Sequence, residues 1–221
     1  MTFHRDLEEA LSFERFSRYL EWADGDRERA IQLYTLNTKL SESFYLPLQM
    51  LEVALRNRIH DVMAESHGQN WFLQDDVLAV EHQNQQIREA RAELDREKKA
   101  VTPGRMVAAL PFSFWTSMFS PGYDTLWQQN LNRIGRTPDG KGLRRKDFSG
   151  PLKALRTLRN RIAHHEPILR WNLPKHHDNA VKLTEWLSPA AAEWCRQHSR
   201  FHTVYPDDPL VLGGSGTRSE T

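Results

Sequence analysis

The stretch PLKALRTLRNRIAHHEPILRW, residues 151–171, decides how this chain is read. Leu152, Leu155, Leu158 and Ile162 recur at spacings of three and four, the period of an amphipathic helix. Pro151 is read as the opening of that helix. Pro167 ends it near His165 or Glu166, because a proline disfavours helical geometry in the residue before it. At about 100° per residue, Asn160 and His164 share the face opposite the leucine stripe, with Lys153 and Arg156 beside them. Arg159 falls at one edge of the stripe and His165 near the other. Arg159 therefore reads either as a side chain snorkelling from the core edge or as a functional cation. His165 reads either as a packed histidine or as a functional one. Asn160 and His164 need no core explanation, and taken singly each passes for an ordinary surface residue.

Outward from this helix the signals stay helical. Ser12 is expected to cap a helix to about Ala23, with Phe13, Phe16, Tyr19 and Leu20 as its apolar face. Asp26 is expected to cap a second, carrying Ala30, Leu33, Tyr34 and Leu36. A third runs from near Ser41 to about Ser66, with Pro47 in its early turns. Residues 77–99 are polar and rich in good helix formers, and predict an exposed helix. Thr102 and Pro103 begin another, and the run Phe112, Phe114, Trp115, Phe119 belongs in the core. Residues 135–150, with Gly135, Pro138, Gly140, Gly142 and Gly150, predict a loop. Asp178 and Ser188-Pro189 are expected to start the last two helices. From Pro206 onward the sequence predicts a disordered tail, 206–221. No alternating strand pattern appears, so the expected class is all-α, one helical domain over residues 1–205.

Composition excludes several functions. The chain has 221 residues, enough for one large domain or two small ones at roughly 100–200 residues each. Its apolar fraction of 39%, with ten phenylalanines and seven tryptophans, is too high for intrinsic disorder. Cys195 is the only cysteine, which rules out a disulfide scaffold or a zinc ribbon. A lone cysteine, and acids where a secretory signal would be apolar, lead us to expect a cytoplasmic protein. The uncharged stretch 106–123 contains two prolines and a glycine, and is expected to be buried in the protein rather than in a membrane.

Net charge is only +1, but residues 1–30 carry −3 while residues 131–175 carry +9. Such a basic segment suits a phosphate-bearing partner, and equally a solvated face. No phosphate-binding loop or GxGxxG is present. His164-His165 and His176-His177-Asp178 lack the spacing of a metal site, so neither metal nor cofactor is expected. Arg56-Asn57-Arg58-Ile59-His60 echoes the Arg159 motif with a shorter spacing, and is read as helix surface.

Arg159-Asn160-x-x-x-His164-His165 matches the Arg-x(4–6)-His motif of the HEPN superfamily. With LEVALRNRIHD (51–61), GQNWF (68–72), GRMVAALPFSFWTSMFS (104–120) and LRNRIAHHEPI (158–168) in order, the chain resembles the Abi-like (AbiD/AbiF-type) abortive-infection family within it, over roughly residues 10–200. The motif alone is weak; the blocks together are specific. The resemblance implies a HEPN-like fold with additional N-terminal helices, a homodimer, and a defence or toxin role. In catalytic members it implies a metal-independent endoribonuclease. Carried over, Arg159 and His164 are the catalytic pair, Asn160 supports them, and His165 fits the longer permitted spacing. RNA is the expected partner, held by Arg144, Arg145, Lys146, Lys153, Arg156, Arg161 and Arg170. An antitoxin or a noncoding RNA is the expected restraint, and no membrane partner is expected. A non-cleaving RNA-binding scaffold of the same fold is the alternative.

Overall fold

The computed structural model describes residues 2–74, 77–208 and 210–213, without the side chains of 2–5 and 7. The described residues form an all-α structure with no strand. The helices are α1 (Thr2–Leu11), α2 (Phe13–Trp22), α3 (Arg27–Ser43), α4 (Tyr45–His67), α5 (Glu81–Arg96) and α6 (Pro103–Ala109). They continue as α7 (Phe112–Ser117), α8 (Asp124–Ile134), α9 (Arg145–Ala163), α10 (Leu173–Leu187), α11 (Pro189–His198) and α12 (Phe201–Val204). No described helix is long and apolar enough to cross a membrane.

Two long helices, α4 and α10, pack together as the spine, and α7, α8 and α11 lie against α4. α9, which carries the motif, lies against α7, α8 and α10. Its stripe is anchored there, for Leu152, Leu155 and Leu158 are wholly buried. Aromatic clusters fill the core. Trp71, Phe114 and Trp115 meet under α4 with centroids 4.9–6.4 Å apart. Phe119 stacks between Trp127 at 5.0 Å and Phe148 at 4.9 Å, joining α8 to α9.

Several helix starts follow from single residues. The Asp26 carboxylate accepts the N–H groups of Glu28 (3.0 Å) and Arg29 (3.2 Å) at the start of α3. The Ser188 hydroxyl accepts the Ala191 N–H at 3.3 Å. Pro103 stands first in α6, where its missing N–H is harmless.

Other expectations are corrected. Ser12 makes no capping hydrogen bond; it sits at φ 66° as the bend between α1 and α2. Phe13 then points outward, 75% exposed, while Phe16 and Tyr19 are buried. The third expected helix starts at Tyr45 rather than near Ser41, because α3 runs on to Ser43 and ends at Phe44. α5 is not merely an exposed helix. Gln83 donates to the Phe114 carbonyl at 3.0 Å and accepts from the Tyr123 hydroxyl at 2.6 Å, and both glutamine bonds are buried. α9 begins at Arg145, leaving Pro151 inside it, because the Asp147 carboxylate accepts the Arg144 N–H at 2.8 Å and fixes an earlier start. α10 is capped by Asn172, whose side chain accepts the Lys175 N–H at 3.1 Å, and Asp178 lies within the helix.

The expected tail is not free throughout its described part. The Gly213 N–H donates to the Trp22 carbonyl at 2.8 Å, and Arg29 donates to the Val211 carbonyl at 2.7 Å. Residues 209 and 214–221 of that tail lie outside the described residues.

Candidate functional site

α9 ends in a turn that separates the two histidines. His164 caps the helix, and its N–H donates to the Asn160 carbonyl at 2.9 Å. The His165 N–H donates to the Ile162 carbonyl (3.0 Å), and the Glu166 N–H to the Arg161 carbonyl (2.8 Å). These paired bonds define a Schellman motif, which places His165 in the left-handed region at φ 56°. Glycine usually fills that position; a β-carbon there costs of order 1 kcal/mol. The backbone reverses hand between His164 and His165, so their side chains diverge. His165 is exposed, which removes the reading of it as a packed core histidine.

Arg159, Asn160 and His164 are also exposed, Asn160 and His164 on the side of α9 away from the leucine stripe and Arg159 at the edge of that stripe. Among the described residues none of their side chains makes a hydrogen bond or ion pair within the chain. Asn160 thus does not orient His164 through its side chain here; the two are linked only through the backbone. Arg159 has a neighbour that sequence reasoning missed. Half-buried Glu52, on α4, has its carboxyl pushed above the usual carboxylate range by burial, against the opposing pull of Arg159 and then Arg56. That places the 51–61 segment electrostatically next to the motif.

The basic residues fare unequally. Lys146, Lys153 and Asn160 recur every seven residues, so they drift only about 20° per step and form one ridge. Lys146, Lys153 and Arg156 also border a 470 Å³ groove along α9. Arg156 reaches across it to the hydroxyls of Ser117 (3.3 Å) and Thr116 (3.5 Å). Arg144 is paired with Asp147 at 3.0 Å. Arg145 is tied to Asp124 and donates to the Phe119 carbonyl. Arg170 covers the Trp22 ring at 5.2 Å and donates to the Gly213 carbonyl at 2.8 Å. Arg161 pairs with Glu166 at 3.2 Å and lies 5.5 Å over Trp171. Trp171 is thereby packed under a guanidinium.

A second concavity, of about 560 Å³, adjoins the C-terminal turn of α9; Arg15, Arg18, Arg161 and His165 line it. The first two lie far from the motif in sequence, and no local pattern marks them. The Arg56–His60 echo is structural. Arg58 donates to the Leu187 carbonyl at 2.9 Å, and His60 Nδ1 accepts the Trp71 indole N–H at 3.0 Å.

Of the other histidines, His176 and His177 are buried at 2% and 4% exposure, and burial holds both below the usual histidine range. His177, Asp178 and His202 bring ligand atoms within 4.8 Å of one another, a set a cation could use. The packing of His177 on Phe201 at 4.5 Å and its contact with the Ser199 hydroxyl at 3.0 Å account for its placement without one. Cys195 is wholly buried, and burial raises its thiol above the usual range.

No curated protein and no solved structure matches the chain. A family described as Abi-like protein matches residues 5–172, which span α1 to α9 and reach the residue after Trp171. That match covers the motif, the ridge and both concavities, and it shows that the chain belongs to the Abi-like protein family.

Proposed function

We propose that this protein acts in abortive-infection defence as a metal-independent endoribonuclease of the HEPN type. The family supports the defence role. One observation carries the chemistry: Arg159, Asn160 and His164 are presented to solvent, with no side-chain hydrogen bond or ion pair among the described residues, at the end of a ridge bearing Lys153 and Lys146. Residues held out of the core and left uncommitted are available to a ligand.

The reaction follows from the residue types. RNA brings its own nucleophile, so no activated water is needed. A base removes the 2′-hydroxyl proton, the 2′-oxygen attacks the adjacent phosphorus, and the bond to the 5′-oxygen breaks as an acid protonates it. The products are a 2′,3′-cyclic phosphate and a 5′-hydroxyl. Imidazole titrates near neutrality and serves either proton transfer, each worth about 10²–10⁴-fold. Arg159 donates to the non-bridging oxygens, where negative charge builds up. One chain offers one such histidine, because His165 turns away. A two-fold homodimer would set a second His164 and Arg159 across the same phosphate, making one base and the other acid. Lys146, Lys153 and Arg156 hold the strand. An antitoxin or noncoding RNA covering this exposed face is the restraint proposed for a healthy cell.

A second reading keeps the site without the cleavage. No described side chain of the single chain orients His164, an arrangement that also suits a simple phosphate grip on an RNA that stays intact. Growth of cells expressing the protein separates the two readings from inertness. Wild type is expected to arrest growth, and Arg159→Ala or His164→Ala to relieve the arrest at equal protein level. Equal arrest by all three contradicts the catalytic assignment.

A further inference from the structure

The 560 Å³ cleft beyond the end of α9 is built from two distant segments. Ser12, Arg15 and Arg18 come from the α1–α2 bend and the first turns of α2; Arg161, His165 and Glu166 come from the end of α9. Arg15 and Arg18 stand three residues apart, so they share a face of α2. That face is the solvent side, because Phe16 and Tyr19 are buried on the other. Both arginines are exposed, and neither has an ion pair among the described residues. The Glu166 carboxylate is engaged by Arg161 at 3.2 Å. Glu14 is the one further acid in the lining, so the cleft keeps a net positive charge of modest size.

One other feature marks the place. Ser12 and His165, at φ 66° and φ 56°, are two of the four non-glycine described residues with positive φ, and both border this cleft. A pair of uncommitted guanidiniums in a cleft that adjoins the end of α9 suits the backbone of a single-stranded nucleic acid, which offers a phosphate to grip.

We infer that this cleft is a second anchor for the RNA: Arg15 and Arg18 hold a phosphodiester there, on the far side of the scissile phosphate from the Lys146–Lys153 ridge. The inference rests on the RNA reading above, and extends it to which parts of the surface touch the strand. RNA then runs along the α9 ridge, passes His164 and enters the α2 cleft. Glu14 weakens this grip, which limits affinity for RNA that does not also fill the ridge.

The test uses the full chain and a single-stranded 2′-O-methyl oligoribonucleotide, which cannot be cleaved through its 2′-oxygens. Fluorescence anisotropy across a salt series gives affinity and its salt slope. The Arg15→Gln/Arg18→Gln double variant is expected to bind about tenfold more weakly at low salt. Its slope should flatten by about 0.7 for each phosphate that is no longer neutralised. Glu14→Gln is expected to bind a few-fold more tightly, an effect no loss of folding can mimic. Unchanged affinity and slope in the arginine variant, or no binding by wild type, overturns the inference. Cleavage of unmodified RNA by the same proteins is scored separately. If only the cleavage reading fails, the oligonucleotide still binds and the variants still differ. If only the cleft fails, RNA is still cut and the variants bind alike.

Discussion

Arg145 and Arg159, near opposite ends of α9, have opposite fates. At the N-terminal end, Arg144 pairs with Asp147, and Arg145 ties α9 to Asp124 and the Phe119 carbonyl. At the C-terminal end, Arg159 stands exposed beside Asn160 and His164 with no hydrogen-bonded partner among the described residues. The count of positive charges between residues 131 and 175 treats these arginines as equals. The structure separates them: Arg145 uses its charge to position the helix, and Arg159 leaves its charge facing solvent.

The contrast can be broken by substitution. The leucine stripe serves both ends, and removing part of it should have the largest effect on folding. Leu158→Ala is expected to cost about 2–5 kcal/mol, read from denaturant unfolding; a cost under about 1 kcal/mol would mean that α9 is not anchored as described. Arg145→Ala comes next. It removes the donor of a partly buried tie, and should cost about 1–3 kcal/mol, whereas Arg159→Ala, which loses only its pull on Glu52, should cost clearly less. Similar stability losses in both variants would erase the distinction between the two ends. Asp147→Ala removes the carboxylate that accepts the Arg144 N–H, and should lower stability by about 1 kcal/mol with RNA cleavage unaffected. His165→Gly has the smallest expected effect and the opposite sign. It relieves the left-handed strain at the C-terminal turn, and should stabilise by up to about 1 kcal/mol, measured by thermal unfolding.

A pH series sharpens the comparison from another side. His176 and His177 are held below the usual histidine range by burial. The unfolded chain therefore takes up protons before the folded chain does. Stability from this pair is full above the ordinary histidine value and declines as pH falls through it toward the lowered folded values. His176→Gln/His177→Gln should flatten that decline. An unchanged slope would assign the acid sensitivity to other groups.

Sequence patterns revealed the parts of this fold that depend on local spacing. The α9 stripe, the Asp26 and Ser188 caps and the buried aromatic run were all legible, because each is set by residues within a few positions of one another. What escaped is set at a distance. Gln83 reads as polar surface in a glutamine-rich segment, yet the Phe114 carbonyl and the Tyr123 hydroxyl draw it into the core. Asp178 is a fair cap by type, but Asn172 holds that role because the helix starts at Leu173. The same division applies to the site. Asn160 and His164 could be placed together from helical geometry alone. That His165 leaves the helix, that Glu52 lies near Arg159, and that Arg15 and Arg18 border the same turn all required the folded chain.

The central claim is that the exposed end of α9 cuts RNA through the 2′-hydroxyl. The most direct test incubates purified wild type, Arg159→Ala and His164→Ala with total cellular RNA in EDTA and maps the product ends. Wild type is expected to yield fragments ending in 2′,3′-cyclic phosphate, and each variant to lose at least about 10²-fold in cleavage. Intact RNA with wild type, or equal cleavage by all three proteins, would contradict the claim.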